Sequence, residues 1–216
     1  MKTHARVVVI GGGIAGCSTL YHLTKMGWRD VVLVERDELT SGSTWHAAGN
    51  CPNFSTSWNI IKLQHYSNSL YARLGQETGY PVNYHVTGSI RLAHGRDRMD
   101  EFHHVCSMAR AQGLAFEMLS PEELQARHAF LELHDLRGGL WDPGDGDVDP
   151  SQVTQAFAAG ARANGAEIYR HNPVEAIARR KGEWQVHSKN GTISAEIVVN
   201  AAGYRAGEVG AMVGLK

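Results

Sequence analysis

The stretch from Val7 to Glu35 constrains this chain more than any other. Arg6 to Ile10 (RVVVI) is a short apolar run, the composition of a strand buried on both faces. Gly11-Gly12-Gly13-Ile14-Ala15-Gly16 follows without a spacer and contains G-x-G-x-x-G. Gly16, Leu20, Leu23 and Gly27 then recur at helical spacing, and Gly27 doubles as a helix stop. Val31 to Val34 (VVLV) reads as a second buried strand, with Glu35 at its end. Strand, glycine turn, helix and strand make a βαβ unit, so the chain is expected to build a parallel sheet with helices packed on it.

The same residues have a chemical reading. Gly11 allows a tight turn, Gly13 lets a pyrophosphate approach the backbone, and Gly16 lets the helix lie close on the strand. A helix N-terminus carries free N–H groups and partial positive charge, which suits phosphate. An acid about 20 positions after the turn completes the dinucleotide fingerprint, and Glu35 stands there. Its carboxylate suits a ribose diol and would repel a 2′-phosphate. The competing reading is a glycine-rich βαβ turn that binds nothing.

Composition narrows the function classes. The 216 residues suit one large domain or one and a half, and a hydrophobic content of 43% supports a real core. The net charge of −1, with 20% charged residues, gives no reason to expect a nucleic-acid partner or an anionic membrane surface. Cys17, Cys51 and Cys106 are far apart and form no C-x-x-C pair, which suggests reduced structural thiols and a cytoplasm-like compartment. Met1 to Ala5 leads straight into the first strand, so no leader is expected. No apolar run approaches the ~20 residues a membrane helix needs.

Leu39 to Gly49 is a small-residue loop with one Trp and one His, dense enough in small side chains to let a flat ligand near the backbone. A helix is expected from about Ser57 to Glu77, with Ile60, Leu63, Leu70 and Leu74 on its buried side and Thr78-Gly79-Tyr80-Pro81 as its stop. Val82 to Ala93 reads as extended with a break at Gly88, and Arg91 within it is a candidate for a substrate carboxylate, structural pairing being the alternative. Asp97 to Ala111 reads as a helix, Ser120-Pro121-Glu122-Glu123 as a capping box, and Gly138 to Trp141 as a short strand. Asp142 to Asp149 invites a calcium reading but lacks the EF-hand spacing, and no metal site is assigned; Asp149-Pro150-Ser151-Gln152 reads as a helix start. His103, His104 and Cys106 read as a solvated helix face.

Ala166 to Tyr169 is expected as a third core strand. Pro173 to Arg180, Trp184 to Ser188 and Thr192 onward read as a meander crossing one face, turning at Lys181-Gly182-Glu183 and Asn190-Gly191. Ile197 to Asn200 returns to the core sheet and ends in Ala201-Ala202-Gly203, small residues where a strand end meets a ligand. The fold class is therefore α/β: a Rossmann-like parallel sheet with an antiparallel β-meander crossover. Residues 80–136 are expected to begin an α+β substrate-binding domain, between segments 1–79 and 137–216 of the nucleotide fold, which is expected to be incomplete at its C-terminus.

The fingerprint, Glu35-Arg36 and above all Ser41-Gly42-Ser43-Thr44-Trp45-His46-Ala47-Ala48-Gly49 resemble the dimethylglycine and sarcosine dehydrogenases, which are D-amino-acid-oxidase-like flavoenzymes. Gly138 to Pro143, Asp149-Pro150 and Val198 to Gly203 fit as well, so the resemblance covers the whole chain. It implies FAD, held by Gly11, Gly13, Ile14, Ala15, Gly16, Glu35, Arg36, Val174, Ala202 and Gly203. The loop residues Gly42, Ser43, Thr44, Trp45, His46, Ala47, Ala48, Gly49 and Asn50 complete that set, with His46 covalently bonded to the flavin 8α position. The reaction implied is oxidation of an N-methyl group on a small amino acid, by hydride transfer to the flavin.

The resemblance leaves the electron acceptor open between another flavoprotein and oxygen, and implies tetrahydrofolate only if C-terminal domains exist. It also implies that the chain is an N-terminal portion, and it admits the mitochondrial matrix, after removal of a transit peptide, beside the cytoplasm. Three competing functions are another FAD-dependent amine or amino-acid oxidase, an NAD-dependent dehydrogenase, which the meander between core strands disfavours, and a non-catalytic remnant that binds only FAD, nucleotide or a partner chain.

Overall fold

The structure, a computed structural model, describes residues 1–215. In chain order the elements are β1 (His4–Ile10), α1 (Ile14–Lys25), β2 (Val31–Val34), β3 (Asn50–Cys51), α2 (Trp58–Thr78), β4 (Tyr84–His85) and β5 (Ser89–Ala93). There follow α3 (Arg96–Ala111), β6 (Glu117–Leu119), α4 (Pro121–Arg127), β7 (Gly138–Asp142), β8 (Gly146–Val148) and α5 (Pro150–Ala163). The chain continues through β9 (Glu167–Tyr169), β10 (Val174–Arg180), β11 (Glu183–Ser188), β12 (Gly191–Asn200) and α6 (Ala206–Ala211). By packing the described residues divide into two compact units, 1–48 with 73–82 and 149–215, and 49–72 with 83–148.

The first unit holds a six-stranded sheet in the order β10-β11-β12-β1-β2-β9. β12, β1, β2 and β9 run parallel, with Val7 opposite both Ile197 and Val31. This is the expected parallel core, and Val7, Val8, Val9 and Val31 to Val34 are each at most 1% exposed, as strands covered on both faces must be. α1 and α5 pack together, with Tyr21 and Phe157 rings 5.2 Å apart. A Cβ on Gly160 would lie 2.8 Å from the Tyr21 ring, so the close approach requires glycine there. The buried stripe of α1 is Gly16, Cys17, Leu20, Tyr21 and Thr24. Leu23 is half-buried and Gly27 exposed, so the expected face is rotated toward Cys17 and Tyr21; Gly27, at φ 86°, does stop the helix.

The meander differs from expectation. It does not cross a face of the sheet but extends its edge. The ten-residue β12 pairs with β11 through its first half, while residues from Ser194 to Asn200 pair with β1. The reason is hydrophobic continuity: Ile177, Val186, Ile193 and Ala195 bury in one cluster with Val8, Ile10 and Val32. Lys181 and Gly182 both have positive φ, 53° and 91°, as a type I′ turn requires. At Asn190-Gly191 only Gly191 does, at 131°.

The second unit has two three-stranded sheets, β3-β8-β4 and β5-β7-β6, all antiparallel. Phe102, Val105, Ala109, Leu140 and Ile61 form one core, and Leu119, Leu124 and Leu136 another. Because β7 pairs with β5 and β6, and β3 and β4 both pair with β8, this unit does not coincide with residues 80–136: it takes in 49–72 and 137–148 and leaves 80–82 with the first unit. In α2, Ile61, Leu70 and Leu74 are buried, while Ile60 and Leu63 are 44% and 60% exposed; Ile61 takes the place expected for Ile60. The Ser120 capping box and the Asp149 cap form as read, Asp149 accepting from the Ser151 and Gln152 N–H groups. Among the described residues no helix is long and apolar enough to cross a membrane.

Candidate functional site

The site is built at the C-terminal ends of the parallel strands in the first unit, where open α/β sheets place their ligands. β1 ends at Ile10 and α1 begins at Ile14, so three glycines make the whole turn. Gly11 has φ 113°, and a Cβ there would lie 2.4 Å from the Ala201 carbonyl oxygen at the end of β12. A Cβ on Gly16 would lie 1.9 Å from the Gly11 carbonyl oxygen, so α1 starts pressed against the turn. The first turn of a helix leaves N–H groups without intrahelical acceptors. The Ile14 N–H donates to Thr44 Oγ1 at 3.0 Å, fixing the small-residue loop against the helix start.

Glu35 is 7% exposed and is held by backbone. Its Oε2 accepts the Gly12 N–H at 2.5 Å and its Oε1 the Asp37 N–H at 2.8 Å. Each oxygen keeps a further lone pair, and these are the acceptors a ribose diol needs. Beneath the turn, burial pushes the Cys17 thiol up to about 12, with the Glu35 charge adding to the shift, so this thiol stays neutral and structural.

These elements enclose a cavity of about 500 Å³. Of the residues assigned from sequence, Gly11, Gly13, Ile14, Ala15, Glu35, Arg36, Gly42, Ser43, Thr44, Val174, Ala202 and Gly203 line it. Gly16 packs under the turn. Trp45, His46, Ala47 and Ala48 are exposed and do not line it, while Gly49 and Asn50 belong to the second unit, Asn50 in β3. Thr44–His46 forms a single 3₁₀ turn, with the Trp45 and His46 rings 3.8 Å apart and His46 Nδ1 3.1 Å from the Gly42 carbonyl oxygen. With its proton on Nδ1, His46 donates to that oxygen and keeps a free lone pair on Nε2.

Sequence reasoning missed Gly12, Asp37, Tyr204, Arg205, Glu208 and Met212, which also line the cavity. The spacing of the fingerprint points to Gly12, which sits between its two first glycines. The residues after Gly203 carried no periodic signal, since they form one 3₁₀ turn and a six-residue helix. Arg91 is elsewhere: in the second unit its Nη1 donates to Ser89 Oγ at 2.7 Å and to Asp145 Oδ2 at 3.2 Å, and its guanidinium lies 4.5 Å over the Phe54 ring. It is paired internally, as the structural alternative expects.

A glycine turn between β1 and α1, a buried acid at the end of β2 and small residues at the end of β12 define a dinucleotide-binding α/β protein. Residues 6–216 match the family described as FAD dependent oxidoreductase, and the chain belongs to that family. It is 44% identical over 216 residues to "Dimethylglycine dehydrogenase, mitochondrial" of Homo sapiens, covering 100% of this chain and 25% of that protein. It is 39% identical over 211 residues to "Pyruvate dehydrogenase phosphatase regulatory subunit, mitochondrial" of Mus musculus, covering 97% and 24%. Among solved structures it is similar to L-proline dehydrogenase from P. horikoshii, with a TM-score of 0.91 and 27% identity, over 100% of this chain and 57% of that one. The chain thus spans about a quarter of the length of these curated relatives. The family's cofactor is FAD, and the residues present fit it: a bare-backbone turn, a buried carboxylate with acceptor capacity to spare and a cavity joining them.

Proposed function

We propose that this chain is the FAD-binding portion of a dehydrogenase that demethylates an N-methylated amino acid such as dimethylglycine or sarcosine. The observation that carries the reading is the convergence of Glu35 and the Gly11–Ala15 turn on one cavity, in a chain 44% identical throughout to a dimethylglycine dehydrogenase. Bound there, FAD would supply the hydride acceptor; the protein's part is to grip, orient and shield it. Glu35 takes the adenosine ribose, the turn and the start of α1 take the pyrophosphate, and Val174, Ala202 and Gly203 pack on the cofactor. Thr44 ties the Ser41–Ala48 loop to α1. His46, with its free Nε2, is the residue we assign to covalent attachment at the flavin 8α position. The second unit, which holds residues 83–136 of the expected segment 80–136, begins the substrate-binding part.

The test uses the complete protein, denatured in acid. Yellow colour retained by the wild-type chain and lost in His46→Ala supports the assignment; flavin released from both contradicts it. Anaerobic addition of dimethylglycine or sarcosine should bleach the flavin. The relative named as a regulatory subunit favours a second reading, a non-catalytic flavin- or nucleotide-binding portion, for which the same addition leaves the flavin yellow. The cytoplasm, read from the thiols, and the mitochondrion, named for both relatives, are separated by cell fractionation.

A further inference from the structure

The second unit contains a buried pair of carboxyl groups that no cofactor chemistry uses. Asp142, at the end of β7, is 1% exposed, and Asp145, in the turn before β8, is 2% exposed. Asp145 is well supplied with donors. Its Oδ1 accepts the Asn53 backbone N–H at 2.6 Å and the Asn53 side-chain amide at 3.1 Å, and its Oδ2 accepts Ser89 Oγ–H and, at 3.2 Å, Arg91 Nη1. Asp142 is not. Its Oδ1 accepts the Gly144 N–H at 2.9 Å and the Asn53 side chain also favours its charged form, while its Oδ2 is buried with no donor of its own. One guanidinium therefore stands against two buried carboxyls, and it is bonded to Asp145. An ionised carboxylate buried in that position is strongly disfavoured, and such a group takes up a proton instead.

We propose that Asp142 is a protonated carboxyl in the folded second unit, its O–H donated to the neighbouring Asp145 carboxylate, and that this shared proton latches the 142–145 turn, which loosens as the proton is given up. The step is a proton exchange: the carboxyl O–H bond breaks, the proton passes to water, and a carboxylate remains. Burial pushes Asp142 up to about 7, and the neighbouring Asp145 adds to the shift. The other titratable or charged groups that feel this pair are Arg91 on β5, Tyr84 on β4, Cys106 on α3 and Cys51 on β3. The turn is a hub of the unit. The Asp145 carbonyl accepts the Gly88 N–H at 2.8 Å between β4 and β5, and Asn53 relays the turn to Asn68 on α2 at 3.1 Å.

The sign follows from linkage. An opened turn has an ordinary carboxyl that ionises near 4, whereas the closed turn keeps its proton to about 7. Between those values opening releases a proton, so the latch weakens as pH rises through that window and changes no further above it. The experiment is hydrogen exchange on the full chain, reading protection factors of the Gly144, Asn53 and Gly88 amides. In the wild type protection should fall about tenfold per pH unit between roughly pH 5 and 6.5 and level off above about pH 7.5. In Asp142→Asn the profile should be flat. A flat wild-type profile, or the same slope in Asp142→Asn, overturns the proposal. Carbon NMR of the wild-type carboxyls gives a second readout that needs no variant to fold: an Asp142 midpoint well above the usual carboxylate range supports the latch, and one near 4 removes it.

Discussion

The Gly11–Ala15 turn and the Ser41–Ala48 loop both carry motifs and both lie in the first unit, yet they are held in different ways. The turn is fixed by backbone. Ala201 presses on Gly11, Gly11 presses on Gly16, and Glu35 clamps the Gly12 N–H. The loop is tied at Thr44, while Trp45 and His46 lie exposed beyond it. The half of the site proposed to grip a nucleotide is therefore preorganised by the packing that makes the fold, and the side chain assigned to covalent attachment is not part of that packing.

The contrast breaks most visibly at Gly16. A methyl group there meets a carbonyl oxygen that belongs to the turn itself, so Gly16→Ala should destabilise the chain by about 3 kcal/mol, lowering the melting temperature by roughly 10 °C. Melting like wild type would mean that the turn is looser than its geometry shows. Next comes Glu35. Charge-assisted hydrogen bonds to a diol are worth roughly 1.5–3 kcal/mol, so Glu35→Ala should weaken non-covalent FAD uptake about ten- to a hundredfold. Unchanged uptake in a fluorescence titration would move the ribose elsewhere.

Thr44, in the loop, joins the two regions. Thr44→Val removes the acceptor of the Ile14 N–H and should lower stability by about 1 kcal/mol, with Thr44→Ser close to wild type. Equal melting of the three proteins would remove the tie between loop and helix. The smallest expected effect is at His46. His46→Ala should shift denaturation by no more than about 0.5 kcal/mol, as exposed positions do. A large loss would place His46 among the groups that hold the fold.

The parallel core was legible because it rests on local patterns: RVVVI and VVLV have no polar face to offer, and the glycines between them have few other uses. The cap residues Ser120 and Asp149 were legible for the same reason. What escaped reading was set by tertiary packing. Ile60 and Ile61 are adjacent and equally apolar, and only the packing of Ile61 with Phe102 and Leu140 decides which is inside. The meander's place at the sheet edge depends on Ile177, Val186 and Ile193 meeting Val8 and Val32, residues distant in sequence. Arg91 could be read as a ligand for a carboxylate, but the sequence did not show that the carboxylate is Asp145 of the same unit.

The central claim is that the first unit grips the nucleotide half of FAD. Competition in solution tests it most directly: titrate the chain with FAD by flavin fluorescence, then add ADP or riboflavin. The account predicts one FAD per chain, displaced competitively by ADP and hardly at all by riboflavin, since Glu35 and the glycine turn address ribose and pyrophosphate. Displacement by riboflavin with no effect of ADP, or no saturable FAD binding, would contradict it.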